Sequence, residues 1–355
     1  MKVIPWARVL IGLAVCSSFA APVCGAGSAV EAVKARRAEA DAKTDAGLSA
    51  FANDGFPAAE AAFRDTVALD PSHALYYRNL GAAAYKVGHY ADAIRVFARF
   101  MELQPKGMDE VQYLRYGQSH ARIGQYGEAA AILREGTAVF PDYEALQQWS
   151  VVSAYAADGW DAGLSVWRVR HPEPEMGRDV DELCSLIQNG IKDHIRDSRE
   201  RKNRYAELKH LRAYVLLLRD AMRLFDWSYM KAKEYAQERD DTVARIVQLY
   251  RALPLKPAPS PKARRLAAEA LKAVQAGEYG RAYEEYEAAV TESPWWPDAR
   301  FNMALAAMAD KDYDFYERSY KQLSWYLEFE PDGERASEAR TRMRDLEKMH
   351  GLVRQ

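Results

Sequence analysis

Apolar residues recur at steps of three and four along most of the chain. Leu183, Leu186, Ile187, Ile191 and Ile195 form one such stripe, and Leu208 and Leu211 begin a second. That spacing gathers apolar side chains on one face of an α-helix. Alanine is abundant and runs of Val, Ile and Thr are scarce, which favours helix over strand throughout. Asp226 and Asp241 read as N-caps of two further helices in the same region.

Outside the middle of the chain the helical pattern is cut into short, evenly punctuated blocks. The clearest runs Asn79-Leu80-Gly81, Ala84, Gly88-His89-Tyr90, Ala93, Phe97, Pro105. Small residues at 81 and 93 allow two helices to cross closely. Gly88 permits a turn between them. Pro105 stops the second helix, because proline has no amide to donate. The same order appears upstream as Gly47, Gly55, Phe56, Ala59, Phe63, Pro71, with the turn glycine one place late. It appears downstream as Gly117, Gly124, Tyr126, Ala129, Leu133, Pro141, after an insertion at Lys106-Gly107. A degenerate copy keeps Ala154, Gly159-Trp160, Gly163 and Trp167 but runs into "HPEPE" at 171–175. The register resumes as Ala270, Ala273, Gly277-Glu278-Tyr279, Ala282, Tyr286, Ala289, Pro294.

That register decides how "TESPWWPDARFN", residues 291–302, is read. A glutamate beside paired tryptophans can suggest a sugar-cleaving acid. Pro294, however, occupies the slot of Pro71, Pro105 and Pro141, and Pro297 sits where a proline opens the next helix. The stretch is therefore expected to be a corner between repeats, with Trp295 and Trp296 packed across it and Glu292 structural.

These residues resemble the tetratricopeptide repeat family, a helix-turn-helix unit of about 34 residues stacked into a solenoid. The resemblance covers roughly 40–177 and 263–331. It implies an all-α fold: a solenoid in two blocks with a helical insert between them. The expected organisation is a signal segment at 1–26 and an N-terminal block at 28–177, with repeats at 40–73, 74–107 and 110–143 and a degenerate fourth at 144–177. A helical insert follows at 178–253, within which 226–254 can be read as a decayed repeat. A Pro-rich linker at 254–261 separates it from a C-terminal repeat pair at 262–350. A last helix at about 334–348 carries Ala336, Ala339, Met343 and Leu346 on one face and charge on the others, as an end cap requires.

The first residues change the picture of location. Lys2 and Arg8 precede an apolar run from Val9 to about Val23. The run is short for a membrane span, which needs about 20 apolar residues, and reads as a secretory signal cleaved after Ala20 or Ala26. A lipoprotein is the lesser alternative: Val15 before Cys16 and Val23 before Cys24 are poor residues for a lipobox. The expected location is periplasmic or secreted, with membrane association only if Cys16 or Cys24 is lipidated. Cys184 is the single cysteine beyond the signal, so no intramolecular disulfide is expected.

Composition excludes more than it selects. With 49% hydrophobic residues, 28% charged residues and a net charge of −2, the 355-residue chain is of ordinary globular type and shows no global sign of nucleic-acid binding. The seven histidines are scattered in no metal-ligand spacing, and phosphate-loop and nucleophile-elbow motifs are absent. Asp240-Asp241 and Asp310/Asp312/Asp314 read as cap and turn residues. No metal, cofactor or enzymatic activity is expected. Residues 192–212 hold eight Lys/Arg and four Asp/Glu, read first as a solvated helix face and second as a docking surface for an acidic partner.

In the tetratricopeptide family the first helix of each repeat lines a concave groove. Its groove positions correspond here to Leu75, Arg78, Ala82, Tyr85 and Lys86, then Val111, Leu114, Gln118, Ala121 and Arg122, with Asp41, Thr44, Leu48, Phe51 and Ala52 in the first repeat. The candidate site is Arg78, Tyr85, Lys86, Tyr113, Gln118 and Arg122. Such a wall would take a protein or peptide partner of acidic character. Chaperone-binding relatives clamp a terminal carboxylate with Lys and Asn where Thr44 and Leu48 stand, so that mode is not expected. The reading is an exported, non-enzymatic scaffold within a cell-envelope assembly; the alternative is an accessory subunit positioning a polysaccharide or peptidoglycan enzyme.

Overall fold

The computed structural model describes residues 26–171, 178–225, 228–310 and 315–349. Among them it contains sixteen α-helices and no strand. The signal segment and Cys16 and Cys24 lie outside the described residues, as do most of "HPEPE", Asp226, and Asp312 to Asp314. No helix among the described residues is long and apolar enough to cross a membrane.

The N-terminal block is four helical hairpins: α1 (Ala26–Ala52) with α2 (Phe56–Leu69), α3 (Ala74–Val87) with α4 (Tyr90–Leu103), α5 (Glu110–Arg122) with α6 (Tyr126–Val139), and α7 (Glu144–Asp158) with α8 (Trp160–Trp167). The small-residue positions set the crossing distance. A Cβ added at Gly81 would lie 2.8 Å from the Phe97 ring, and one at Gly117 would lie 2.4 Å from Leu133. The turns need a left-handed residue, supplied by Gly88 at φ 87° and Gly124 at φ 73°. In the first hairpin Asp54 takes that conformation at φ 57°, which explains why Gly55 stands one place late. Helix α5 starts on a capping box, with Asp109 accepting from the Gln112 amide and the Gln112 side chain returning the bond.

The insert is three long helices, α9 (Arg178–Glu200), α10 (Arg204–Leu224) and α11 (Tyr229–Ala252). Leu183, Ile187, Ile191 and Ile195 are buried and share one core with Tyr113, Tyr155, Leu208 and Leu211. One expectation is corrected here. Asp241 does not begin a helix but sits within α11, where its carboxylate accepts from Gln237 at 3.0 Å. Nothing between Tyr229 and Ala252 breaks a helix, so the mid-helix acid is simply solvated and bonded one turn back. At 21 and 24 residues, α10 and α11 are far longer than the 14-residue helices of a repeat.

Helix α9 does not stack on α8 as a fifth repeat would. It crosses the first helices of the preceding hairpins. Gly190 lets it approach Val152 on α7, Asp193 receives Arg122 of α5 at 2.6 Å, and Arg201 reaches the Val87 carbonyl at the end of α3 at 2.8 Å. Much of the basic character of 192–212 is thereby taken up by ion pairs within the molecule. Lys192 pairs with Glu238, Arg199 with Glu207, Arg201 with Asp197 and Arg212 with Glu292.

The C-terminal pair is α12 (Pro261–Gln275) with α13 (Tyr279–Glu292), then α14 (Pro297–Asp310) with α15 (Phe315–Phe329), closed by α16 (Ala336–Met349). Ala336, Ala339 and Leu346 are the buried face of α16, as a capping helix requires. The linker does not hold this pair apart. Trp295 and Phe329 enter the same core as α9 to α11. Tyr250 donates to Glu330 at 2.6 Å, and Lys321 pairs with Asp240 at 2.6 Å. The linker itself is pinned at both ends: the Leu255 carbonyl accepts from the Tyr205 hydroxyl at 3.0 Å, the Ala258 carbonyl accepts from the Trp295 indole at 3.4 Å, and the Ser260 amide donates to Ser293 at 2.9 Å. A short extended segment whose flanking helices both expose apolar faces brings those faces together.

The two corner tryptophans differ. Trp295 is buried, whereas Trp296 is half-buried against the core of α12 to α14. Trp296→Ala is therefore expected to lower stability by only about 1–2 kcal/mol, the share of apolar area it removes from water, read as a small fall in the urea midpoint.

Candidate partner-binding groove

The six candidate residues do not form one continuous wall. Tyr113 is corrected to a core residue: it is buried, donates to Glu135 at 3.0 Å, and its ring closes against Gly136 and Phe140. Burial, with help from Glu135, pushes its hydroxyl up to about 12. It follows Gln112 and precedes Leu114 on α5, and only the packing decides that it turns inward.

Arg122 is likewise committed inside the molecule. Its guanidinium bonds the Asp193 carboxylate at 2.6 Å and the Asp193 carbonyl at 3.2 Å, and lies 5.9 Å from the Trp149 ring centre. Burial works against its charge, but Asp193, Tyr85 and Asp197 outweigh that and raise its pKa. Gln118 is buried and accepts the Tyr85 hydroxyl proton at 2.6 Å. Burial of Tyr85 raises its pKa, so the hydroxyl stays a donor. The insert therefore covers the C-terminal end of the expected groove, held there by the contact of Arg122 with Asp193.

What remains open is the wall built by α1, α3 and α5. Lys86 is exposed, with Nζ 5.4 Å from the Phe56 ring centre, and Phe56 meets Phe51 edge-on at 5.2 Å. Arg78 is half-buried and has no hydrogen-bond or ion-pair partner among the described residues. Arg115 matches that description and was missed by counting groove positions, because it lies one place beyond Leu114. Its guanidinium stacks 6.0 Å from the Phe51 ring centre with no salt bridge among the described residues. Burial lowers its pKa, opposed by the neighbouring Tyr85, Asp109 and Tyr143. Leu48 and Leu75 are exposed apolar side chains of α1 and α3. The open wall thus offers aromatic and aliphatic surface with cations left unpaired.

Two other clusters have chemistry but no reactive geometry. Glu60, His89 and Asp92 bring three potential metal donors within 4.8 Å of one another. Arg64 already lies 2.7 Å from Glu60 and 3.8 Å from Asp92, so a cation occupies the centre of that charge. Cys184 is buried, and burial pushes its thiol up to about 12, far from a reactive thiolate.

Paired helices of near-equal length, closed by left-handed turns and crossing at small residues, make up a helical solenoid among the described residues. Residues 44–107 match the family model described as tetratricopeptide repeat. The chain is 35% identical over 112 residues to the Hsp70-Hsp90 organizing protein of Triticum aestivum, covering 31% of this chain and 18% of that protein. It is 39% identical over 57 residues to the human small glutamine-rich tetratricopeptide repeat-containing protein beta, covering 16% of this chain and 19% of that one. The chain thus spans less than a fifth of either relative. Among solved structures, the Arabidopsis OM64 TPR domain is similar at 21% identity and a TM-score of 0.31, over 32% of this chain and 93% of that domain.

Proposed function

We propose that this chain is a non-enzymatic interaction scaffold that holds an acidic peptide segment, or an acidic surface of a partner protein, against the open wall of α1, α3 and α5. The observation that carries this reading is the pair Arg78 and Arg115, two half-buried guanidinium groups without a carboxylate partner among the described residues. A partly desolvated cation gains most from a partner that brings the missing anion. Phe51, Tyr85 and Leu75 supply apolar and aromatic anchoring around it, the residue types that dominate binding energies being Tyr, Trp and Arg. Thr44 is turned back onto its own helix, donating to the Ala40 carbonyl at 2.8 Å, and Leu48 offers no polar atom, so the wall favours acidic side chains over a clamped chain terminus. Export through residues 1–26 would place this scaffold in the cell envelope.

The test is charge reversal at the open wall. Arg78→Glu and Arg115→Glu, alone and together, should leave helical content unchanged and shift stability by about 0.5 kcal/mol each, as surface changes do. Partners cross-linked to the native protein through position 86 should be lost from the double variant, and wild-type capture should weaken as salt rises. Recovery of the same partners at the same yield from the double variant refutes the reading. Arg122→Glu is not equivalent, since it breaks the Asp193 contact and disturbs the insert.

A further inference from the structure

The seam between the insert and the C-terminal pair encloses a cavity of about 230 Å³, lined from α10, α11, α13, α14 and α15. None of its lining residues belongs to the open wall of α1, α3 and α5. Five Lys/Arg side chains line it against three carboxylates.

Arg300 sets its chemistry. The residue is 4% exposed, and its charge has no salt-bridge partner among the described residues. One terminal nitrogen donates to Gln322 at 3.2 Å and the other to the Pro294 carbonyl at 3.0 Å, both neutral acceptors. Its Nε is buried without a hydrogen-bond partner among the described residues. The guanidinium is braced 5.4 Å from the Phe329 ring centre. Burial, reinforced by Arg239, pulls its pKa down to about 9. An unpaired buried charge is strongly unfavourable, and a buried N–H without an acceptor adds to the cost.

Asp240 on the cavity wall offsets this only in part and makes no ion pair with Arg300. Asp240 is engaged by Lys321 at 2.6 Å and faces Arg239 at 3.9 Å. Arg239 and Lys321 are the more exposed cations, with side chains 25% and 39% accessible. Glu287 and Glu317 also reach the lining, from α13 and α15, and limit how much negative charge the cavity accepts. The arrangement is a deep cation with a polar acceptor missing, approached past two outer cations.

We propose that this cavity is a binding site for a small oxyanion, a phosphate or carboxylate group on a low-molecular-weight ligand, anchored by Arg300 and met at its outer side by Arg239 and Lys321. An occupied site would clamp α14 and α15 to α11 and so fasten the C-terminal pair to the insert.

Calorimetric titration of the full chain with inorganic phosphate, and separately with succinate, each at constant ionic strength, tests this. Saturable binding of either probe is expected, and which one binds separates a phosphate from a carboxylate ligand. Arg300→Gln should weaken that binding about 30-fold, the loss on removing one member of a buried charge pair. Arg239→Gln should weaken it less and, being at the more exposed side, carries the test if Arg300→Gln does not fold. Arg95→Gln, at an exposed position of α4 outside the cavity lining, should bind as wild type. The proposal is overturned if the wild type shows no saturable heat with either probe up to about 10 mM, beyond the range of millimolar affinity. It is equally overturned if folded Arg300→Gln, or Arg239→Gln in its place, binds as tightly as wild type.

Discussion

Between about pH 6.5 and pH 4 the folded chain should lose several kcal/mol of stability, because two histidines are held neutral inside it. His194 of α9 and His210 of α10 are both fully buried and stack with ring centres 5.2 Å apart. His210 is bonded as a neutral ring: the Tyr126 hydroxyl donates to Nδ1 at 2.6 Å, and Nε2–H donates to the Arg122 carbonyl at 3.3 Å. Neither ring nitrogen of His194 has a hydrogen-bond partner among the described residues. Burial pulls His210 down to about 3, and burial, with His210 and Arg122 close by, pulls His194 well below its usual range. Below the unfolded value near 6.5 the unfolded chain binds these protons and the folded chain does not. Stability therefore falls with falling pH, by about 1.4 kcal/mol per pH unit for each histidine. The fall ends only as the pH reaches the lowered folded values. Because the pair sits where the insert meets Tyr126, Trp149 and Arg122, acid should loosen the cover over the groove first. Urea unfolding at stepped pH should show the slope, and His194→Phe with His210→Gln should flatten it. An unchanged slope in that double variant would assign the acid sensitivity elsewhere.

Glu292→Gln should lower stability by about 3 kcal/mol or more, the usual loss when one member of a buried ion pair is removed. Glu292 is 6% exposed. Its carboxylate pairs with Arg212 of α10 and with Lys262 of α12 at 2.7 Å, and Arg212 also donates to the Glu292 carbonyl at 3.0 Å and the Ala156 carbonyl at 3.5 Å. The Arg212–Glu292 pair thus ties the insert, the N-terminal block and the C-terminal pair together. Burial alone would raise its pKa; Arg212 and Lys262 overcome that and lower it. A carboxyl with a lowered pKa is ionised near neutrality and is a poor proton donor, so the corner tryptophans do not frame a general acid. The stability it supplies is present above the ordinary value of 4.5 and is lost as the pH falls from there through its lowered folded value. Between the ordinary histidine value of 6.5 and the ordinary glutamate value of 4.5 only the histidines contribute, and below 4.5 both effects act together. Urea midpoints of Glu292→Gln and Arg212→Met at pH 7 should both fall; a change under about 0.5 kcal/mol, the level of an ordinary surface substitution, would show the seam to be wetter than its geometry.

The groove shows how far counting positions can reach. Arg78, Tyr85 and Lys86 lie on α3 as the repeat register places them, and they stay on the open wall. Tyr113 and Arg122 obey the same arithmetic and do something else. Tyr113 turns into the core because Gly136 leaves room for its ring, and Arg122 is claimed by an aspartate 71 residues away in sequence. Arg115 was passed over because a rule of positions cannot register a guanidinium that meets a ring on another helix, Phe51 of α1.

Local chemistry by itself determined the hairpins of this chain. Glycine at a left-handed turn, small residues at a crossing and proline after a helix act within one repeat, so their effects are visible in forty residues of sequence. The length and direction of α9 to α11, the covering of half the groove, the buried histidine pair, the Arg212–Glu292 seam and the cavity around Arg300 were decided only by tertiary structure. Each depends on side chains far apart in sequence meeting with water excluded. Burial and the pairing of charge, which govern those meetings, are properties of the assembled surface and leave no periodic mark along the chain.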